Sequence, residues 1–230
     1  MDHQGILYLV STPIGNLEDM THRAIRILKE SDLIAAEDTR HTGILLRHYG
    51  IENRLESYHD HNKERKTPHL VQKMQNGFSI ALVSDAGTPG ISDPAFYLVR
   101  AAAQAGIQIS PVPGPTAAIA ALTASGLATD RFVFEGFLPH KKGRKTRLEQ
   151  ITTETRTIVL YESPHRIKRT LKDLLDYLGD RQAAVGRELT KKFEEIVRGK
   201  LSEIRDCFES RTIKGEFVII VDGKEKRKHG

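Results

Sequence analysis

Two carboxylates, two glycines and several small hydroxyl residues fall together in Ser84-Asp85-Ala86-Gly87-Thr88-Pro89-Gly90-Ile91-Ser92-Asp93-Pro94. Small residues and glycines let a ligand approach the backbone closely and leave amide N–H groups available to it. The stretch holds no Lys or Arg. The triphosphate pattern G-x-x-x-x-G-K-[ST] is absent, as is the dinucleotide pattern G-x-G-x-x-G. Acids and amides without a base suit a ligand with hydroxyls and a positive centre. The alternative is an ordinary surface connection with Asp93 as a helix cap, but connections are usually shorter than this one.

The elements that must position this loop are legible on both sides. Ile80 to Val83 is a short apolar run that reads as a buried strand. Asp93 stands at an N-cap position and Pro94 at the first helical position, ahead of a helix from Ala95 to Ala105 stopped by Gly106. Strand, loop and helix in that order place the loop at the carboxyl end of a strand, where open α/β sheets bind ligands.

The same order recurs upstream. Ile6 to Ser11 reads as a strand ended by Thr12-Pro13-Ile14-Gly15-Asn16, and Thr21 caps a helix with Ala24, Ile25 and Leu28 on one face. Leu33 to Ala36 is a second strand, followed by Glu37-Asp38-Thr39-Arg40 and a helix from His41 to Tyr49. Thr67-Pro68 starts another helix that Asn76-Gly77 ends. Alternation of this kind predicts a largely parallel sheet covered by helices. His59 and His61 lie one residue apart around Asp60. They lack further spaced ligands, so no metal site is expected.

After a strand at Gln108 to Ser110 come three prolines and a glycine in Pro111-Val112-Pro113-Gly114-Pro115-Thr116, a rigid bend. It divides the chain into an N-terminal domain, 1–113, and a C-terminal domain, 114–223, with a basic tail at 224–230. Thr116 caps a helix, Ala117 to Leu122, apolar all round and therefore expected to be buried. Strands are predicted at Phe132 to Phe134, Thr157 to Tyr161, Ala183 to Gly186 and Phe217 to Val221. Helices are predicted at His165 to Leu178 and Leu201 to Glu209. This less regular order implies a mixed sheet.

Bulk composition bounds the function. The 230 residues carry a net charge of +5 with 39% hydrophobic and 28% charged residues, as in a globular protein with an anionic partner. No apolar run approaches the ~18 residues of a membrane span, no secretory signal is evident, and Cys207 is alone. A cytoplasmic location is expected. The basic residues of the second half cluster at Lys141, Lys142, Arg144, Lys145 and Arg147, at Arg166, Lys168 and Arg169, and at Arg187, Lys191 and Lys192. Next to strand ends they form either one phosphate-binding face or three solvated loops.

Five motifs in order carry a resemblance. Thr12-Pro13-Ile14-Gly15-Asn16-Leu17, Ala36-Glu37-Asp38-Thr39-Arg40, Ser84-Asp85-Ala86-Gly87-Thr88-Pro89, Pro113-Gly114-Pro115-Thr116-Ala117 and Tyr161-Glu162-Ser163-Pro164-His165-Arg166 resemble the tetrapyrrole-methylase-like methyltransferases. Within these, the chain is similar to members that use S-adenosylmethionine to methylate a ribose 2′-hydroxyl of a cytidine in the decoding region of small-subunit ribosomal RNA. The resemblance runs from about Gly5 to Gly223. It implies two α/β domains, a cofactor folded into the cleft between them, and a homodimer. It suggests cofactor contacts at Pro13, Ala86, Gly87, Thr88, Ile91, Thr116 and Ala117, and further matches at Glu162 and Leu189. The residue reading adds Ser84 and Asp85, as hydrogen-bonding groups at the strand end. Ala95 departs from the Gly expected after Asp93-Pro94, a change a helix tolerates. Longer members carry a C-terminal helical extension, so here RNA holding would fall to the basic loops.

A 2′-hydroxyl is a poor acid, so a base or a cation favouring the alkoxide is needed. Glu37, Asp38 and Glu188 are candidate bases, and Lys191 is a candidate cation. Glu37 and Asp38 have an alternative role in orienting Arg40 or capping the next helix. Candidate RNA contacts are Arg40, Lys141, Lys142, Arg144, Arg166, Arg187, Lys191 and Lys192. Two other functions fit the same residues: methylation of a small tetrapyrrole on this fold, and a non-catalytic RNA-binding or nucleotide-sensing module.

Overall fold

The computed structural model describes residues 5–225, so most of the expected basic tail lies outside the described residues. The chain forms two compact units that divide after Thr116.

The first unit is a five-stranded sheet in the order β3-β2-β4-β1-β5, and every pairing is parallel. The strands are β1 (Ile6–Val10), β2 (Leu33–Ala36), β3 (Leu55–Ser57), β4 (Ile80–Val83) and β5 (Gln108–Val112). Helices α1 (His22–Glu30), α2 (Thr39–His48), α3 (Lys63–Gln75) and α4 (Ala95–Gln104) connect them in sequence. Alternate strand residues face opposite ways, so β2 and β4, fully buried, must supply two cores. Leu33, Ala35, Ile80 and Leu82 pack with Leu70 and Met74 of α3 and Leu98 and Ala102 of α4. Ile34, Ala36, Ala81 and Val83 pack with Ala24, Ile27 and Leu28 of α1 and Leu46 of α2. The connection out of β1 leads to β2 and that out of β4 leads to β5, in opposite directions along the sheet. The adjacent carboxyl ends of β1 and β4 are therefore a topological switch point.

Two local expectations change. Helix α3 begins at Lys63 rather than Thr67, with Pro68 inside it. The Thr67 hydroxyl is not a cap but bonds the buried Tyr58 hydroxyl at 2.9 Å. Pro94 occupies the cap position of α4 rather than its first turn. The Asp93 carboxylate accepts from Gly90 N and Ala95 N, closing the loop as well as starting the helix.

The second unit is a mixed sheet in the order β6-β7-β10-β8-β9. Its strands are β6 (Phe132–Phe137), β7 (Thr157–Glu162), β8 (Gln182–Arg187), β9 (Glu195–Lys200) and β10 (Phe217–Val221). Helices α6 (Arg144–Ile151), α7 (Ile167–Leu178) and α8 (Leu201–Glu209) pack on one face against Ile158, Leu160, Val185, Ile219 and Val221. Strand β9 has no apolar run to announce it, and α6 lies where the sequence suggested a basic loop. Helix α5 (Ala117–Ser125) buries Ala118, Ala121 and Leu122, while Ile119 is 42% exposed. So α5 is not buried all round, because a single sheet face covers one side of it.

Strands β6 and β7 are parallel, and β10 runs antiparallel to both β7 and β8. Hence β6, β7 and β8 all point the same way. The segments after Phe137, Glu162 and Arg187 and the one entering Phe217 share one edge of this sheet.

Candidate cofactor site and basic edge

At the switch point of the first unit the loops after β1, β4 and β5 are tied together. Thr12 and Gly87 exchange main-chain hydrogen bonds of 2.9 and 3.0 Å. The hydroxyls of Ser11 and Thr88 lie 3.0 Å apart, and Thr88 Oγ1 donates to the Pro115 carbonyl at 3.1 Å. Gly114 approaches Ser11 so closely that a Cβ would sit 2.8 Å from the Ser11 Cβ. Gly87 has φ +78°, a left-handed conformation that favours glycine. The loop after β2 joins them, since the Asp85 carboxylate accepts from Asp38 N at 3.0 Å. Four strand ends thus converge on one small patch.

This patch has the properties of a ligand site. The Thr12 hydroxyl is buried without a hydrogen-bond partner among the described residues, although Thr12 itself is only 2% exposed. A buried orphan hydroxyl is costly and calls for a partner. Ser84 is buried and donates to the Ala86 carbonyl at 3.3 Å, whereas Asp85, Ala86 and Ile91 are exposed. Pro13 is half-buried beside Thr12. An open pocket of about 310 Å³ lies along the later part of the loop, lined by Ser92, Asp93, Pro94, Phe96, Tyr97, Asp60 and Lys63. His59 and His61 pack edge to face with ring centroids 6.0 Å apart, and no cluster of metal-binding groups occurs among the described residues.

The candidate acids separate by environment. Asp38 caps α2 through Arg40 N and His41 N, and its pair with the Arg40 side chain, at 2.9 Å, holds its carboxyl down to about 2. A carboxylate so held is a weak proton acceptor. Glu37 is shifted the other way, raised by burial and then by the neighbouring Asp85. In the second unit, Glu188 and Lys191 pair at 2.9 Å, and Lys191 also pairs with Glu216 at 2.8 Å. Burial raises the Glu188 carboxyl, but Lys191 and Glu216 N outweigh it and the net shift is down. Burial lowers Lys191, yet its two carboxylates outweigh that and raise it. Of the four, only Glu37 moves towards neutrality as an acid.

Several candidate contacts in the second unit turn inward. Arg144 is 3% exposed; it pairs with Asp173 at 2.8 Å and donates to Thr170 Oγ1 at 2.8 Å and to the Pro139 carbonyl. It is therefore a structural ion pair and not a surface RNA contact. Gly143, at φ +83°, turns the chain so that α6 starts with this side chain inside. Glu162 is also interior: it accepts from Ser163 N and Thr170 Oγ1 and pairs with Arg166 at 3.3 Å, which leaves it holding the start of α7. Arg166 donates to the Leu138 carbonyl, and Arg187 donates to the Lys214 carbonyl and pairs with Glu195. Leu189 is buried, its side chain over Gly186. Lys141, Lys142 and Lys192 are exposed and without a carboxylate partner among the described residues. Ser11 and Thr12 follow β1 just as Ser84 and Asp85 follow β4, yet neither is among the site residues expected from the sequence.

The chain belongs to the tetrapyrrole methylase family: the family model for Tetrapyrrole (Corrin/Porphyrin) Methylases matches residues 6–205. Its similarity to particular relatives is closer still. It is 53% identical over 98% of its length, and 81% of the relative's, to ribosomal RNA small subunit methyltransferase I of Haemophilus influenzae. It is 57% identical over 95% of its length, and 79% of the relative's, to the protein of the same name from Synechocystis. Among solved structures, uroporphyrin-III C-methyltransferase from Thermus thermophilus, complexed with S-adenosyl homocysteine, matches with TM-score 0.66 at 22% identity. That match covers 94% of this chain and 97% of the other, and it bears out the two-sheet α/β fold.

Proposed function

We propose that this chain is an S-adenosylmethionine-dependent methyltransferase that modifies small-subunit ribosomal RNA at the ribose 2′-hydroxyl of a cytidine in the decoding region. The observation that carries the reading is half-identity over nearly the whole chain to small-subunit ribosomal RNA methyltransferases. The laced loops at the switch point support the cofactor. They offer the Thr12 hydroxyl, buried without a partner among the described residues, a glycine at position 87, and a stretch from Ser84 to Pro94 that holds no cation to repel a sulfonium.

When bound, S-adenosylmethionine supplies an electrophilic methyl group on a sulfonium. Pro13, Ser84, Asp85, Ala86, Gly87, Thr88 and Ile91 would hold it, with Thr116 as a further contact. The residues' part is to hold the ribose oxygen in line and to take its proton. Glu37, whose raised affinity for a proton fits that task, is the candidate base. Positioning supplies several kcal/mol of the remaining acceleration. Lys141, Lys142 and Lys192 are candidate phosphate contacts, and Arg40 is a fourth if it leaves Asp38. A cytoplasmic homodimer fits this role.

Methylation of a small tetrapyrrole is the second reading, favoured by the family's own name. One experiment separates the two. Labelled methyl groups should pass from S-adenosylmethionine to small ribosomal subunits and not to uroporphyrinogen. S-adenosylhomocysteine should raise the thermal midpoint by mass action, and ATP much less. Stabilisation by ATP alone would remove the cofactor assignment.

A further inference from the structure

The β8–β9 turn, residues 188–194, holds the most exposed large apolar side chain among the described residues, Phe193 at 65%. A single exposed aromatic needs no explanation by itself. This one is held out by a turn that is otherwise tightly built. Glu188 and Thr190 both adopt left-handed conformations, at φ +48° and +66°, on either side of the buried Leu189. Glu188 N donates to the Glu216 carbonyl, Lys191 N to the Glu188 carbonyl and Glu194 N to the Lys191 carbonyl. Thr190 N donates to the Glu194 carboxylate at 2.6 Å, and the Lys191 ammonium bridges Glu188 and Glu216. Such strain in non-glycine residues persists only where surrounding bonds enforce it, and it gathers at functional sites.

The charge around Phe193 selects the partner. The carboxylates of the turn are all engaged: Glu188 and Glu216 share Lys191, Glu194 accepts from Thr190 N, and Glu195 pairs with Arg187 and Arg211, so these four acids face the five cations Arg187, Lys191, Lys192, Arg211 and Lys214. Lys192 has no carboxylate partner among the described residues, and its ammonium stands 5.8 Å from the Phe193 ring centroid. The exposed Lys214 enters on the same sheet edge, where Arg187 bonds its carbonyl. Lys141 and Lys142 follow β6 on that edge too. An aromatic face beside unneutralised lysines is the arrangement that stacks a base and steadies its phosphates.

We infer that Phe193 is a stacking platform for one unpaired nucleobase of the RNA substrate, with Lys192 and Lys214 meeting the adjoining phosphates. This rests on the RNA methyltransferase reading and narrows it to a single-stranded segment at this edge. A duplex, its bases already stacked on one another, presents no free face to the ring.

The test uses the full chain and three variants, Phe193→Ala, Phe193→Leu and Phe193→Tyr. Affinity for a labelled single-stranded oligoribonucleotide and for its duplex is read by fluorescence anisotropy, and KM and kcat by methyl transfer to small ribosomal subunits. Phe193→Ala and Phe193→Leu should weaken single-strand binding about tenfold, within what one base–aromatic stack supplies, with a matching rise in KM. Duplex binding and S-adenosylhomocysteine affinity should stay level, and Phe193→Tyr should match the parent. A leucine variant as good as the parent would make the contact merely apolar and overturn the inference. So would an alanine variant with parental KM, or one whose sedimentation shows that Phe193 joins two copies of the chain. If the parent protein transfers no methyl group to the subunits, it is the functional reading that fails. The oligonucleotide arm still decides the stacking in that case.

Discussion

Thr12 and Gly87 exchange both main-chain hydrogen bonds, at 2.9 and 3.0 Å, and so join the loops that leave the adjacent strands β1 and β4. The pairing requires Gly87 at φ +78°, with Ile14 Cγ2 3.3 Å and the Pro115 carbonyl 3.6 Å from where a Cβ would stand. Gly90 has a similar φ of +92° with nothing within 4 Å. Gly87→Ala and Gly90→Ala should therefore each cost about 1 kcal/mol of stability by backbone strain. Only Gly87→Ala should also raise the S-adenosylhomocysteine dissociation constant, measured by calorimetry. Equal constants for both variants would move the cofactor off this bridge.

The orphan hydroxyl of Thr12 makes a prediction of opposite sign. Thr12→Val keeps the shape and removes a buried polar group with no partner among the described residues. Its thermal midpoint should stay level or rise, since an unsatisfied buried group costs about 1–3 kcal/mol. Affinity for the adenosyl ligand should fall, because the hydroxyl's partner is then the ligand. A midpoint that drops would mean that the hydroxyl already has a partner in solution.

Glu37 and Asp38 are neighbours with opposed acidities, and pH separates them. The raised carboxyl of Glu37 means that its ionised form is disfavoured in the folded state, by burial first and by Asp85 second. Its cost is absent below the unfolded value of about 4.5 and grows as pH rises through the folded value. Glu37→Gln should therefore stabilise the protein at pH 7 and make no difference near pH 4, as followed by thermal melts. It should also lower kcat for methyl transfer by a hundredfold or more, in line with loss of a general base. Asp38→Ala should do the reverse, lowering stability at pH 7 by removing the cap of α2 and sparing kcat.

Arg144 and Lys142 stand two residues apart in one basic cluster and should behave as different kinds of residue. Arg144→Ala leaves Asp173 with only its longer pair to Arg169 at 3.7 Å and unties Thr170, and loss of one partner of a buried pair costs up to about 3–5 kcal/mol. Lys142→Ala should leave denaturant unfolding unchanged. It should weaken subunit binding and flatten its salt dependence by ~0.7 if one single-strand phosphate contact is lost. A stable Arg144→Ala protein with reduced RNA affinity would return Arg144 to the surface.

Much of this molecule was legible from residue order. The buried runs Leu33 to Ala36 and Ile80 to Val83, and the Thr21 cap that accepts from Ala24 N, are local features whose physics does not wait for the fold. The parallel first sheet followed from strand–helix alternation, and the loop from Ser84 to Pro94 declared itself by small residues without a cation. Long-range pairing decided the rest. Strand β9 exists because β8 pairs with it over its whole length, not because Glu195–Lys200 has a strand's apolar pattern. Arg144 reads as surface charge until Asp173 and Thr170, far along the chain, enclose it. The shift of Glu37 depends on its burial in the fold and then on Asp85 arriving from another strand end, and the orphan state of Thr12 on Gly87 taking its backbone but not its hydroxyl. Sequence spacing sets which groups a strand end carries; which of them remain free for a ligand is settled only when distant segments have claimed the others.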